Sequence, residues 1–295
     1  MPTDLSLLPT HGQFLHIYMQ LRQNKKLFDR TPIVFCEGDS WFSTPLYMNI
    51  LDWLVFATPQ EEELGVPVLG RGGLFYRAES SGHLAVDMFT DKKVKSLMKA
   101  YKAFEFDIAL LSGGGNDFVS AYLKKTFAAH QAPMTVDDAF QLVVDSGRYD
   151  EVKDALTLML DAMVKTRPHT PIVMHTYCYP LKLNEHAPLT LGNIGAVAAF
   201  KKRIGPWIAP HVKAALPDIA DQRAFARKMI DGFAERVLFP LAKEPRFKKN
   251  VIVLDLRNDC PHESDWFDEM HPTGAAFHRL SKKFEAEIRN LFELP

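Results

Sequence analysis

Residues 32–41, PIVFCEGDSW, decide the fold of this chain. The first part of this stretch is a short apolar run without polar alternation, which is typical of a strand buried on both faces. Gly38-Asp39-Ser40 then supplies a turn sequence that ends the strand. Ligands of open parallel sheets bind where the strands reach their carboxyl ends. Ser40 therefore stands at the edge of the sheet where chemistry is expected.

Four further apolar runs predict the rest of the sheet, and amphipathic segments between them predict helices. The runs cover residues 74–78, 106–112, 171–176 and 251–256. The helical patterns cover residues 45–57, 87–101, 136–165, 219–242 and 274–292. The pattern over 136–165 has a predicted break near Ser146-Gly147 and a predicted N-cap at Thr135. Strands that alternate with helices indicate an α/β protein with right-handed crossovers. We expect a three-layer α/β/α sandwich around a doubly wound, parallel five-stranded sheet with flavodoxin-like topology.

The predicted elements also divide the chain. We expect residues 1–30 to form an N-terminal helical extension and residues 31–295 to form one domain. Two stretches of low periodicity, 58–73 and 177–192, are rich in loop-forming residues and predict surface insertions.

Composition restricts the class of protein. With 47% hydrophobic and 24% charged residues and a net charge of −1, the chain has no basic field that would attract nucleic acid. The three cysteines, Cys36, Cys178 and Cys260, form no CxxC pair, which argues against structural zinc and favours a reducing compartment. Neither a signal peptide nor a transmembrane run is evident. We expect a cytoplasmic protein that uses no metal or cofactor, and the sequence leaves its oligomeric state open.

Polar clusters follow three of the predicted strands. Ser40 follows the first strand, residues 113–117 (GGGND) follow the third, and residues 266–272 (WFDEMHP) follow the fifth after a short loop. A serine hydroxyl is a weak nucleophile until a base takes its proton, and a histidine can do so near neutral pH. A carboxylate then fixes the tautomer of the histidine. Ser40, His271 and Asp268 supply one group of each kind.

These clusters resemble the sequence blocks of the SGNH/GDSL hydrolase family. The GDS of residues 38–40, the GGND of residues 114–117 and the DEMHP of residues 268–272 occur in the order of that family. The resemblance spans residues 32–292. One difference is Trp41, which stands where the family usually has leucine.

The resemblance implies a role for each matching residue. Ser40 would be the nucleophile, with His271 as its base and Asp268 as the partner of the histidine. The Ser40 amide and the Asn116 side chain would stabilise the oxyanion. A family glycine that follows the second strand matches Gly82 best, with Gly70, Gly72 and Gly73 as rivals. The expected activity is hydrolysis of a carboxylic ester through an acyl-enzyme, as in an esterase, lipase or carbohydrate deacetylase.

Other interpretations remain open at this stage. The fold could serve a non-catalytic binding domain, a thioesterase or a flavin- or nucleotide-binding protein, although the glycines at 113–115 match neither common phosphate-binding spacing. Trp41, His175 and Trp266 flank the clusters and either line a substrate pocket or pack in the core. The ester could belong to a small molecule, a lipid or an acylated sugar.

Overall fold

The computed structural model describes residues 11–56, 73–130, 132–190 and 203–292. Its central sheet has five strands in the order β2-β1-β3-β4-β7, and all four strand pairs are parallel. The strands are β1 Ile33–Glu37, β2 Leu74–Arg77, β3 Ile108–Leu111, β4 Ile172–His175 and β7 Val251–Leu254. The five predicted strands and the flavodoxin-like order are confirmed. Nearly continuous burial of β1, β3 and β4 explains why their sequences do not alternate.

Helices cover both faces of this sheet. They are α1 His11–Arg22, α2 Lys25–Phe28, α3 Ser40–Ser43, α4 Ile50–Val55, α5 Ala85–Met88, α6 Asp91–Ala103, α7 Ala121–Thr126, α8 Val136–Asp145, α9 Arg148–Thr166, α10 Ala209–Val212, α11 Ile219–Phe233, α12 Phe239–Lys243 and α13 Gly274–Leu291. Helix α13 packs on α4, and α9 packs on α6, so each pair belongs to one outer layer. The predicted three-layer sandwich is therefore correct.

Helix ends follow local capping chemistry. Thr135 accepts a hydrogen bond from the amide of Asp138 and begins α8, as expected, and Gly147 with φ of 75° separates α8 from α9. The helix predicted over 45–57 begins only at Ile50, because Asn49 and Asp52 form a capping box there. Residues 87–101 were predicted as one helix, but the structure has the separate helices α5 and α6.

The insertion predicted over 177–192 differs from a surface loop. Tyr177, Cys178 and Leu183 are buried, and Ala187–Pro188 (β5) pairs antiparallel with Arg203–Ile204 (β6). Two-residue strands are too short to leave a periodic pattern in the sequence. The other predicted insertion, apart from Gly73, lies outside the described residues. None of the described helices is both long and apolar enough to cross a membrane.

Candidate active site

Ser40 lies at the carboxyl end of β1, at the first position of α3. Asp39 is the N-cap of this helix, and its carboxylate accepts the amide of Trp41 at 3.0 Å. A Cβ atom on Gly38 would lie 2.7 Å from Cβ of Ser112, so only glycine lets β1 and β3 approach closely at this turn. The Ser40 amide, as the first in its helix, has no acceptor within the helix. The turn therefore presents the Ser40 hydroxyl and amide together at the sheet edge.

Asp268 and His271 lie on one tight loop before α13. The fully buried Asp268 carboxylate accepts the amides of Met270 at 2.7 Å and His271 at 2.8 Å. The Nδ1 atom of the His271 ring lies 2.9 and 3.0 Å from the two carboxylate oxygens. Thr273 caps α13 by accepting the amide of Ala276 at 3.2 Å. Backbone and ring are thus held by the same carboxylate, which fixes the direction of the imidazole.

The second ring nitrogen of His271 reaches Ser40. Nε2 lies 2.9 Å from the Ser40 hydroxyl oxygen, across a sequence separation of 231 residues. With Nδ1 donating to Asp268, Nε2 is free to accept the hydroxyl proton. Ser40 is 5% exposed and His271 is 7% exposed, so the pair is shielded from bulk water. This is the arrangement in which a histidine activates a serine as a nucleophile.

Two candidate oxyanion donors lie next to each other on the following loops. The Asn116 side-chain nitrogen donates one hydrogen bond to the carbonyl of His83 at 3.0 Å, which ties the loop after β3 to the loop after β2. That NH₂ group has a second proton to offer. Gly82 has φ of 78° with open space around it, so backbone conformation rather than room favours glycine there. Gly82, Asn116 and Trp207 line an open groove of about 890 Å³.

The glycines considered as alternatives to Gly82 are Gly70, Gly72 and Gly73. Gly73 directly precedes β2 and therefore lies at the amino end of that strand, away from the edge that carries Ser40. Gly70 and Gly72 lie outside the described residues.

Glu269 is a site residue that sequence reasoning missed. Its fully buried carboxylate accepts the amides of Ile208 at 2.6 Å and Ala209 at 2.8 Å, and also that of Trp207. It further accepts the amide of Asn184 at 3.2 Å. Glu269 therefore fastens both the segment 207–209 and, through Asn184, the 177–192 insertion to the loop that carries His271. Three of these partners lie about 60 residues away and Asn184 lies 85 residues away, so no local sequence pattern predicts the contacts.

The Trp207 segment held by Glu269 reaches the candidate base. The Trp207 ring meets the His271 ring edge to face, with ring centres 5.6 Å apart. Trp207 thereby forms a wall of the groove beside the imidazole.

The three predicted pocket residues divide into two kinds. Trp41 and Trp266, each 2% exposed, line a small apolar cavity of about 50 Å³. His175, by contrast, is not among the residues that line this cavity or the groove. Its ring stacks on Trp41 with centres 5.5 Å apart, in the packed interior of the described structure.

His175 belongs to a second hydrogen-bonded set of serine, histidine and aspartate. Its Nδ1 donates to the carbonyl of Thr176 at 2.9 Å, and its Nε2 lies 2.9 Å from the Ser112 hydroxyl. Ser112 and Tyr177 donate to the two oxygens of Asp39 at 2.9 and 2.5 Å. Burial lowers the pKa of His175 and favours the neutral ring.

This second set lacks the arrangement of a catalytic triad. The carboxylate contacts the serine and not the histidine, so it does not orient a base. Because Asp39 caps the helix that begins with Ser40, the set stabilises the turn that carries Ser40. Within the described residues, no cluster of three or more His, Cys, Asp or Glu side chains suits a metal ion.

Comparison with known proteins finds likeness in structure only. No protein-family model matches the sequence, and neither does any curated protein sequence. Among solved structures, the lipase Lip_vut3 from a goat rumen metagenome is similar at 14% identity with a TM-score of 0.49, over 87% of this chain and 97% of that one. A family 3 carbohydrate esterase from Talaromyces cellulolyticus is similar at 13% identity with a TM-score of 0.45, over 89% and 99%. A GDSL-like protein from Bacteroides ovatus ATCC 8483 is similar at 12% identity with a TM-score of 0.47, and the match covers 89% of this chain but 54% of that longer one. At such identities, function has to be argued from the side chains of this chain.

Proposed function

We propose that this protein is a serine hydrolase that cleaves carboxylic esters through an acyl-enzyme intermediate. The observation that carries the proposal is the His271 ring, which lies between Ser40 at 2.9 Å and Asp268 at 2.9 and 3.0 Å. These contacts fall within the 2.6–3.2 Å or so that proton transfer by a positioned base requires.

Acylation follows from the placement of these groups. His271 takes the proton of Ser40 as the hydroxyl oxygen attacks the ester carbonyl carbon, and Asp268 stabilises the imidazolium that forms. Negative charge develops on the former carbonyl oxygen. The Ser40 amide, the free N–H of Asn116 and the Gly82 amide are the donors proposed to receive that charge. The tetrahedral intermediate collapses as His271 gives its proton to the alcohol, which leaves.

Deacylation repeats these steps with water. His271 takes a proton from a water molecule, the resulting hydroxide attacks the acyl carbon, and the Ser40 oxygen leaves with the proton from His271. The acid departs and the free enzyme returns. The open groove is the route proposed for the water, because Trp207 lines it and contacts the His271 ring.

The test is a pre-steady-state burst of p-nitrophenol from p-nitrophenyl acetate, together with fluorophosphonate labelling followed by mass spectrometry. We expect a burst of about one product per chain and a label on Ser40, because an acyl-enzyme accumulates when deacylation is slow. Ser40→Ala should abolish both signals while the fold remains. Ser43→Ala is the matched control, since Ser43 lies in the same short helix and bonds the carbonyl of Asp39. Equal activity in Ser40→Ala and wild type would overturn the assignment.

A further inference from the structure

We infer that a groove lined by lysines between α6 and α9 binds a small organic molecule that carries two or more phosphoryl groups. This lysine groove encloses about 610 Å³, within the range of roughly 300–1,000 Å³ that is usual for small-molecule sites. None of its lining residues belongs to the candidate active site. The inference therefore goes beyond the proposed function and does not depend on it.

The lysine groove gathers positive charge that the net charge of the chain conceals. The chain carries a net charge of −1, yet the lining of the groove holds five cationic side chains and no acidic one. They are Lys95, Lys99 and Lys102 of α6, and Lys165 and Arg167 at the end of α9. A concave surface lined by one sign of charge focuses its field and raises the local concentration of ligands of opposite charge.

The four lysines of the groove have no carboxylate partners. Their side chains are exposed, and none of them forms an ion pair within the part of the chain that the structure describes. Two carboxylates close by in the chain are already bound, Asp161 to Arg246 at 2.7 and 3.0 Å, and Glu105 to Arg22 at 2.5 Å. The ammonium groups are therefore free to pair with a ligand.

Arg167 adds charge to the groove and fixes its shape. Its side chain donates to the carbonyl of Tyr101 at 3.0 Å and to that of Phe104. These bonds hold the end of α9 against the end of α6. Because the two carbonyls are neutral, the positive charge of Arg167 still acts on the groove.

Helix ends account for only part of this lysine cluster. Lysines in the last turn of a helix complement the partial negative charge there, which explains Lys102 and Lys165. Lys95 and Lys99 lie nearer the middle of α6, and the row Lys95, Lys99, Lys102 has spacings of four and three residues. Like charges at such spacings repel each other and destabilise a helix. A bound anion would relieve that repulsion.

The groove has an apolar floor beneath the lysines. Val94 and Met98 of α6 are 4% and 7% exposed, and Ala162 of α9 also lines the groove. The Thr166 hydroxyl donates to the sulfur of Met98 at 3.8 Å and so joins the two helices across the floor. A helix that binds a membrane inserts its apolar face into the lipid, whereas here the apolar side chains are recessed and the cations project. This arrangement fits a soluble ligand whose apolar body enters the groove.

The length of the lysine row indicates more than one phosphoryl group. Lys95 and Lys102 are seven residues apart, which is about 10 Å along the helix axis. A single phosphoryl group would meet only part of the row, whereas a di- or triphosphate extends along it. Each of its phosphoryl groups would then form charge-assisted hydrogen bonds with a nearby ammonium group.

Isothermal titration calorimetry of the full chain tests the inference, with adenosine monophosphate, adenosine triphosphate and inorganic tripolyphosphate as probes in a metal-free buffer. We expect one site for the triphosphate nucleotide, with a Kd at least about tenfold lower than that of the monophosphate. Its affinity should fall as salt is raised from about 20 to about 200 mM, because screening weakens exposed charges. Inorganic tripolyphosphate should bind more weakly, because it cannot cover the apolar floor. Tighter binding of tripolyphosphate, or no saturable binding of the triphosphate nucleotide, would refute the inference.

Two charge-matched double variants locate the site. Lys99→Gln with Lys165→Gln removes one ammonium group from each helix and should raise the Kd for adenosine triphosphate at least about tenfold. Lys124→Gln with Lys213→Gln is the control, since it removes the same charge from exposed lysines outside the groove and should match wild type. Equal weakening in both double variants would show that the binding is not confined to the groove and would contradict the inference.

Vesicles distinguish a soluble ligand from a membrane surface. Wild type should not sediment with vesicles of phosphatidylcholine and phosphatidylserine. Sedimentation that the Lys99→Gln and Lys165→Gln pair abolishes would assign the lysines to a membrane and overturn the inference.

Discussion

At the scale of single residues, the Asn116 side chain makes a sharp test of the oxyanion site. One of its N–H groups is bonded to the carbonyl of His83, and the other is available when charge develops on the substrate oxygen. Since that second bond strengthens mainly in the transition state, Asn116→Ala should lower kcat by about 10²–10³ with little change in KM.

A second variant removes the same donors without reducing the volume of the side chain. Asn116→Asp keeps the shape of the side chain but replaces both donors with a carboxylate oxygen, so it should be at least as inactive as Asn116→Ala. Steady-state kinetics of both variants on one short-chain ester measure the effect. A change confined to KM would remove Asn116 from the oxyanion site.

At the scale of elements, the segment that carries Trp207 depends on Glu269. Glu269→Gln preserves the volume of the side chain, but one of its terminal atoms becomes an NH₂ group that faces backbone N–H donors. A buried donor left facing donors costs about 1–3 kcal/mol. We therefore expect faster hydrogen–deuterium exchange over residues 207–212 and a fall in kcat/KM of about tenfold or more.

Exchange mass spectrometry and kinetics on the same preparation check this prediction. Glu185→Gln is the control, because Glu185 is an exposed residue of the 177–192 insertion and its substitution should leave both readouts unchanged. Unaltered exchange over residues 207–212 in Glu269→Gln would show that the carboxylate does not hold the segment.

At the scale of the whole molecule, one buried carboxyl group makes stability depend on pH. Glu37 at the end of β1 is 5% exposed, and one of its oxygens has no hydrogen-bond partner in the described structure. Burial, reinforced by the nearby Glu79, raises the pKa of Glu37 to about 8. The folded state thus holds this proton more tightly than the unfolded chain, in which glutamate titrates near pH 4.3 or so. The stability from Glu37 is fully present below that value and is lost as the pH rises towards about 8.

Glu37→Gln removes this pH dependence. Each unit of pKa shift corresponds to about 1.4 kcal/mol, so the free energy of unfolding of the variant relative to wild type should increase steadily between about pH 5 and pH 8. Urea unfolding at several pH values measures the difference, with Glu185→Gln expected to parallel wild type. A constant difference between Glu37→Gln and wild type across that range would contradict the prediction.

The sequence alone determined the sheet, its strand order and the loops on which Ser40, Asn116, Asp268 and His271 lie. Those features depend on hydrophobic runs, helical periodicity and turn chemistry, all of which act over a few residues. Even the relation of Asp268 to His271 is local, because only two residues of one loop lie between them.

Only the tertiary structure decided which distant groups meet. The contact of His271 with Ser40 spans 231 residues, and the contacts of Glu269 with the Trp207 segment span about 60. The cavity beside Trp41 depends on where α11 packs, and His175 turned inward to Ser112 rather than towards either space that borders the site. Such contacts form only when the sheet assembles and the helical layers pack on it. A short stretch of sequence therefore does not predict them.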